Sequence, residues 1–190
     1  MEKELYKTLK NKYGKFSSFA IWAEPSHGEK SNIGNLEIFP EDLYEPLHAR
    51  FVIVDFGNSP SFDRRRDHQQ KDWMNFHSDL PRQNEYKLRY AFKDTPLWGS
   101  FMIPLFNEYN TLSLQRKVKE DTDFVESNLQ RVKEQLTYFE QPVLIALGGN
   151  VYKYLRSYFG NQYKIVVIKH PSFQIKLEEY KAEILKKLAD

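Results

Sequence analysis

The chain has 190 residues, of which 41% are hydrophobic and 28% charged, and this composition is typical of a globular domain. It contains no cysteine, which excludes disulfides, thiolate zinc sites, iron–sulfur clusters and a cysteine nucleophile. The N-terminal stretch is charged and lacks the apolar core of a secretory signal, and no apolar run has the roughly 18 residues of a membrane span. We therefore expect a soluble, cytoplasmic protein with no membrane partner.

The net charge of +2 is too small to indicate a nucleic-acid partner by itself, so a DNA-binding surface would have to be a local basic patch. The candidates are residues 64–66, which are all arginine, and the set Lys87, Arg89 and Lys93. Plain solvated surface is the alternative interpretation of both. Aromatic residues make up 15% of the chain, so a few rings could serve as stacking platforms in addition to those in the core.

In the first half of the chain, the clearest element is a strand over residues 51–56, a β-branched run that stops at a Gly-Asn-Ser-Pro turn. A second strand is predicted over residues 97–103 and ends at a proline. Between the two strands, residues 84–92 form a predicted helix that carries basic side chains. Nearer the N-terminus, residues 19–22 are interpreted as an added strand and residues 41–48 as a short helix.

The second half predicts alternating helices and strands, at residues 123–140 (helix), 143–147 (strand), 151–159 (helix), 165–168 (strand) and 177–188 (helix). In the first of these helices, apolar residues recur at helical spacing, and Asp123 with Glu126 three residues later predicts a capping box. The next helix ends at a Gly-Asn pair, and the last one has a single apolar stripe.

Alternating strands and helices favour a largely parallel sheet with right-handed crossovers. Three of the four strands are continuous apolar runs, which is typical of strands covered by helices on both faces. We predict an α/β fold with a central, mostly parallel four-stranded sheet between two helical layers, in a single domain over residues 1–190. Ile53, Ile145 and Val167 should be buried in neighbouring strands.

Ligands of open parallel sheets bind at the carboxyl ends of the strands, so the residues that follow each strand are the candidate site. Gly57, Asn58 and Ser59 follow the first strand, with backbone amides and polar side chains; a plain turn is the alternative. His170 follows the last strand. Its imidazole can donate to a developing negative charge or transfer a proton near neutral pH, and a histidine that stabilises its own turn is the alternative.

Two further segments carry polar groups. Residues 75–79 (Asn-Phe-His-Ser-Asp) combine an aromatic ring with hydrogen-bonding side chains, as a pocket for a nucleobase requires. A metal site formed by His68, His77 and Asp79 is disfavoured because the two histidines are nine residues apart, and we expect no metal. The Gly-Gly-Asn turn at residues 148–150 is either a phosphate contact or a tight connection from strand to helix.

Four short motifs, taken in order, resemble those of an uncharacterised bacterial branch of the uracil-DNA glycosylase superfamily. They are Gly-Asn-Ser-Pro-Ser at 57–61, the block from Asn-Phe-His-Ser at 75–78 to Trp-Gly-Ser-Phe-Met at 98–102, Leu-Gly-Gly-Asn at 147–150 and His-Pro-Ser at 170–172. The resemblance covers roughly residues 50–175. It implies a three-layer α/β/α fold.

The resemblance also implies a function, which is hydrolysis of the N-glycosidic bond of a flipped-out, deaminated or damaged base such as uracil in DNA. By position, Asn58 would hold the water, His170 would stabilise negative charge on the base, and Phe173 would wedge into the duplex. The aromatic wall of the pocket would be Phe76 or Phe62. The other implied substrate-binding residues are Gly57, Ser59, Asn75 and Ser172. DNA is the implied partner of a monomeric enzyme without a cofactor.

Two departures from the family pattern leave a different function open. Ile103-Pro104 stands where the branch usually has a Thr-Asp pair, and the first motif has no catalytic aspartate unless Asp55 or Asp63 substitutes for it. The first alternative is a non-catalytic protein of the same fold that binds nucleic acid or a nucleotide. The second is an unrelated small-molecule enzyme that uses the same cleft, since a fold does not fix a function.

Overall fold

A five-stranded sheet forms the centre of the computed structural model, which describes residues 1–25, 28, 44–57, 72–73, 75–77, 84–108 and 111–189. The strands are β1 (Ser18–Phe19), β2 (His48–Asp55), β3 (Ser100–Pro104), β4 (Val143–Leu147) and β5 (Ile165–Ile168). Their order in the sheet is β1-β3-β2-β4-β5. The pairs β2–β3, β2–β4 and β4–β5 are parallel, and β1 pairs antiparallel with β3.

The predicted α/β class and mostly parallel sheet are confirmed, but the prediction of four strands is wrong. The fifth strand is β1, which pairs with β3 through Ser18 opposite Met102 and Phe19 opposite Phe101. β1 ends at Phe19, which is the residue at which the strand expected over residues 19–22 was to begin. Because only two residues pair, β1 is too short to show the alternating or continuous apolar pattern by which strands are recognised.

Six helices connect or flank the strands in the described part of the chain. They are α1 (Lys3–Tyr13), α2 (Glu85–Phe92), α3 (Thr111–Glu120), α4 (Thr122–Leu136), α5 (Gly149–Phe159) and α6 (Leu177–Ala189). The helix expected over residues 41–48 is not found in its described portion. Residues 44–46 form a turn and His48 already belongs to β2, while residues 41–43 lie outside the described residues.

Two apolar cores, one on each face of the sheet, hold the helices in place. Along β2, Val52 and Val54 contribute to the core beneath α1, α3, α4 and α5, whereas Ile53 contributes to the core beneath α2 and α6. This alternation follows from the two-residue period of a strand. Asp55 has the same parity as Ile53, so its carboxylate lies on the side of α2 and α6.

The strands pack in the expected neighbouring positions. Ile53 lies opposite Ile145, and both are fully buried. Val167 in β5 is only half-buried, because β5 is an edge strand, so the prediction that Val167 is buried is wrong. None of the described helices is long and apolar enough to cross a membrane.

Candidate functional site

The carboxyl ends of β2, β4 and β5 bring Asp55, Gly148 and His170 together. β4 lies between β2 and β5, which are therefore about 10 Å apart. A side chain that follows β5 must reach across the end of β4 to contact a residue of β2. His170 does so, and its Nε2 lies 3.4 Å from Asp55 Oδ1. A Cβ atom at Gly148 would come into van der Waals contact with the His170 Cβ, at 3.4 Å, so glycine keeps the space beside the base of this side chain free.

Gly148 is glycine for a second reason. Its φ is +92°, in the region that residues with a side chain seldom adopt. In this conformation its amide donates to the carbonyl of Ile168 at 2.8 Å, while its own carbonyl accepts the amide of Tyr152 in the first turn of α5. The Gly-Gly-Asn turn therefore connects strand to helix tightly and ties the exit of β4 to the end of β5, where the His170 turn begins.

The His170 ring is fixed by its own turn. The backbone amide of Ser172 donates to Nδ1 at 3.1 Å, and the Ser172 hydroxyl lies 2.7 Å from the same nitrogen. An amide that donates to Nδ1 requires a lone pair there, so in the neutral ring the proton is on Nε2. The Nε2–H group faces Asp55 at a distance longer than an ordinary hydrogen bond.

Opposing influences act on the charge of His170. Burial lowers the pKa of the imidazole, the long, weak hydrogen bond to Asp55 and the negative charge of that carboxylate raise it, and the ammonium of Lys87 lowers it. The net pKa is raised above its ordinary value. The side chain is 37% exposed, so the ring is accessible to a ligand.

Asp55 is oriented by the strand that carries it. Its Oδ1 accepts the backbone amide of Phe56 at 2.7 Å, and its side chain is 19% exposed. β3 continues alongside, since the amide of Leu105 donates to the carbonyl of Asp55 at 2.7 Å. The carboxylate is thus held at the sheet edge by the geometry of β2 rather than by a flexible loop.

The turn that carries His170 ends in an exposed aromatic ring. Phe173 is 58% exposed, and its amide donates to the carbonyl of His170 at 3.0 Å, which closes the turn. Lys87 on α2 donates to the carbonyl of Phe173, and Tyr180 on α6 donates to the carbonyl of Lys169. The predicted residues His170, Ser172 and Phe173 therefore lie in one turn beside Asp55.

Other predicted site residues are placed differently. Gly57, two residues after Asp55, packs closely: a Cβ there would lie 2.7 Å from Leu114 Cδ2 and 3.3 Å from the carbonyl oxygen of Glu108. It lets the exit of β2 approach α3 and the segment before it. Asn58, Ser59 and Phe62 lie outside the described residues, as do Asp63, the arginines at 64–66, His68 and Asp79.

Asn75 and Phe76 are both almost fully buried, at 1% and 2% exposure. Asn75 donates to the carbonyl of Phe16, and Phe76 belongs to the same apolar cluster as Leu147 and Ile168, the last residues of β4 and β5. The φ of Phe76 is +67°, a strained conformation for an aromatic residue. Phe76 thus belongs to the apolar core on the α2 and α6 side of the sheet and is not the open wall of a pocket.

The basic set Lys87, Arg89 and Lys93 is not an exposed patch. Lys87 and Arg89 are 8% and 2% exposed, and Arg89 and Lys93 both bind the carboxylate of Glu24. The interpretation of these residues as a solvated face or a DNA-binding patch is therefore wrong. It failed because both side chains are buried against other parts of the protein, Lys87 at the carbonyl of Phe173 and Arg89 at the carboxylate of Glu24.

Sequence reasoning gave Asp55 only as a substitute for a missing aspartate, and it missed Lys87 and Tyr180 as neighbours of the His170 turn. Asp55 could have been found, because side chains alternate between the two faces of a strand. Asp55 must therefore lie on the same face as the apolar residue Ile53. Tyr180 had no signal, since it looked like one member of the apolar stripe of the last helix. Its pKa is raised by burial and by the charge of Asp55.

A shallow groove of about 540 Å³ lies between α4 and α5, in the helical layer opposite His170. Its walls are mostly exposed polar side chains, with Leu129 and Phe159 at the base. It shares no residue with the cluster around His170. We therefore place the candidate site at the sheet edge, where a titratable ring, a carboxylate and an exposed aromatic side chain meet.

No protein-family model matches the chain, and no curated protein sequence matches it at a significant level. The functional assignment therefore depends on the chemistry of the site formed by Asp55, His170, Ser172 and Phe173.

Proposed function

We propose that this protein is a DNA N-glycosylase with a uracil-DNA glycosylase-like α/β/α fold, which excises a deaminated or damaged base such as uracil. The observation that carries the proposal is the His170 imidazole, oriented by its own turn, accessible, and close to the Asp55 carboxylate at the carboxyl edge of the sheet. An oriented N–H donor beside a carboxylate matches the needs of N-glycosidic bond cleavage.

The reaction breaks the bond between C1′ of the sugar and a ring nitrogen of the base, and the bonding electron pair leaves with the base. The base becomes anionic and the sugar cation-like, and water adds to C1′ and loses a proton. His170 can donate its Nε2–H to an oxygen of the leaving base, because the 3.4 Å contact with Asp55 only weakly engages that hydrogen. A hydrogen-bond donor that is already oriented toward the developing negative charge stabilises the transition state and so accelerates the reaction.

Asp55 supplies the complementary charge in this proposal. Its carboxylate stabilises the cation-like sugar and accepts the proton of the attacking water. Asn58, three residues further along the same strand exit, is proposed to hold that water. Phe173 extends from the turn as an exposed ring, and it would fill the space that the flipped nucleotide leaves in the duplex.

A non-catalytic binder of nucleic acid or nucleotides is the second candidate, and one observation favours it. The exit of β3 is apolar: Ile103, Leu105 and Phe106 are fully buried. β3 therefore contributes no polar side chain at these positions to a reaction, and the chemistry would depend on β2 and β5 alone.

An excision assay separates these two functions. Oligonucleotides that contain uracil, hypoxanthine or an alkylated base would be incubated with the protein and then treated with alkali, which cleaves at abasic sites. We expect cleavage of at least one substrate by the wild type, and cleavage slower by about 100-fold or more by His170→Ala, which is prepared in parallel from the same host as a control for contaminating enzymes. Binding of the oligonucleotides without any cleavage would instead support the binder.

A further inference from the structure

We propose that Lys87 is a positioning residue, which fixes the turn carrying His170 and Phe173 and keeps both side chains in their working orientation. The effect of Lys87 on catalysis rests on the proposed glycosylase function. Its effects on the structure of the turn and on the charge of His170 do not. Lys87 is in α2, far from the turn in sequence, and it does not reach the reacting atoms through any described contact.

The turn is held at both ends by side chains from two helices. Lys87 Nζ donates to the carbonyl of Phe173 at 2.7 Å, and the Tyr180 hydroxyl donates to the carbonyl of Lys169 at 2.6 Å. α2 and α6 pack against each other, so both donors belong to one packed pair of helices. Between the two anchored carbonyls, the amides of Ser172 and Phe173 donate within the turn to His170, and the His170 ring faces Asp55.

The burial of Lys87 indicates that its position is specific. A lysine is rarely buried, because the ammonium loses hydration and the long side chain loses rotamer freedom. Lys87 is 8% exposed, and its hydrogen bond to a backbone carbonyl recovers part of that cost. A charge-assisted bond of this kind contributes more than a neutral one, so it fixes the Phe173 carbonyl firmly.

The Lys87 ammonium also acts on the His170 ring. Asp55 from β2 favours the protonated imidazole, Lys87 from α2 disfavours it, and Tyr180 from α6 is neutral over the ordinary pH range. Lys169, the residue before His170, is paired with Glu183. Lys87 therefore keeps a larger fraction of His170 in the neutral form, whose Nδ1 accepts the Ser172 amide.

The test compares Lys87→Met with Lys87→Arg and with Lys181→Met. Lys181 is a matched control, because it too is part-buried and donates to a backbone carbonyl, that of Lys93, at 2.6 Å, but it is on α6 and does not contact the turn. Two readouts need no DNA: the pKa of His170, from imidazole NMR, and the hydrogen-exchange rate of the Phe173 amide.

In Lys87→Met we expect a higher His170 pKa and Phe173 exchange that is faster by about tenfold or more, since a charge-assisted bond has been removed. Lys87→Arg should restore most of both, and Lys181→Met should match the wild type. If Lys87→Met does not fold, Lys87→Gln tests the charge alone through the His170 pKa, because it keeps a neutral donor in place of the ammonium.

A Lys87→Met variant in which both the His170 pKa and the Phe173 exchange rate equal those of the wild type would overturn the proposal. On a substrate that the wild type cleaves, the single-turnover rate should fall in Lys87→Met and recover in Lys87→Arg. A wild type with no excision activity would refute the proposed function, whereas the two readouts without DNA would still decide the role of Lys87.

Discussion

At the scale of single residues, two histidines show how environment separates a structural role from a chemical one. His77 is 4% exposed, with Nε2 2.7 Å from the hydroxyl of Ser18, and burial lowers its pKa to about 3. It stays neutral at physiological pH. His170 is 37% exposed and faces Asp55, so its ring can change charge and reach a ligand. From the sequence, His170 was the catalytic candidate, whereas His77 was considered only as part of the polar segment 75–79 and of a disfavoured metal site.

Asp55→Asn should lower the pKa of His170, because the carboxylate is what raises it above its ordinary value. A group whose pKa is raised by folding contributes stability that is present below its unfolded value, about 6.5, and is lost as the pH rises through the folded value. The substitution should therefore reduce the free energy of unfolding more at about pH 5.5 than at about pH 9.

Imidazole NMR titration together with urea unfolding at the two pH values would measure both effects. His170→Ala identifies the resonance and serves as the control, since Asp55→Asn should add no pH-dependent loss in that background. An unchanged His170 pKa in Asp55→Asn would show that the two side chains do not interact in solution.

His77→Gln should weaken the acid sensitivity of the fold. The pKa of His77 is lowered in the folded state, so stability is present above its unfolded value of about 6.5 and is lost as the pH falls toward about 3. One such group gives a slope of about 1.4 kcal/mol per pH unit. Glutamine keeps a hydrogen-bonding side chain near Ser18 but cannot titrate.

The measurement is the free energy of unfolding by urea between about pH 6 and pH 4 for the wild type and His77→Gln. Burial also lowers the pKa of His48, so the difference between the two proteins is needed to isolate the contribution of His77. Parallel pH curves for wild type and His77→Gln would contradict the burial of a neutral ring.

At the scale of helices and strands, patterns of apolar residues predicted most elements, but the exact ends of only some of them. β4 and β5 were predicted with their observed bounds, because each is a short apolar run followed by a turn. α1 was missed, although Tyr6, Leu9 and Tyr13 are buried on one stripe, because lysines interrupt it and tyrosine is ambiguous by polarity. α3 was missed as well, since few of its side chains are apolar.

The first residue of α4 is a case in which local chemistry decides between two aspartates. Asp123 was predicted as the cap, but Asp121 occupies that position and its carboxylate accepts the amide of Phe124 at 2.8 Å. Asp121→Ala should therefore lower the free energy of unfolding by about 1 kcal/mol. Asp123→Ala is the matched control, and it should cost only a few tenths of that amount through the helix dipole.

Urea denaturation of the two variants would measure the difference. Equal losses in both would mean that the helix begins later in solution, as the sequence pattern predicted.

At the scale of the whole molecule, topology assembles the site. Parallel strands bring their carboxyl ends to one edge, so the sequence predicted that Gly57-Asn58, Phe76 and His170 would meet there, with Asn58 and His170 facing a common pocket; Asn58 lies outside the described residues. The sequence could not predict that His170 reaches over Gly148 to Asp55, since that contact depends on strand order and on the parity of Asp55. Nor could it predict Lys87, whose burial depends on how α2 packs against α6.

The most direct test of the central claim is the single-turnover excision rate of His170→Ala on the best substrate of the wild type. The side chain is 37% exposed, so the variant should remain folded, and its melting temperature should change little at about pH 9, where the charge interaction with Asp55 no longer contributes. Loss of one oriented donor should reduce the rate by about 100- to 1000-fold. Binding to undamaged DNA should persist, since it depends on phosphate contacts. A variant that excises the base as fast as the wild type would contradict the assignment of His170 as the catalytic group.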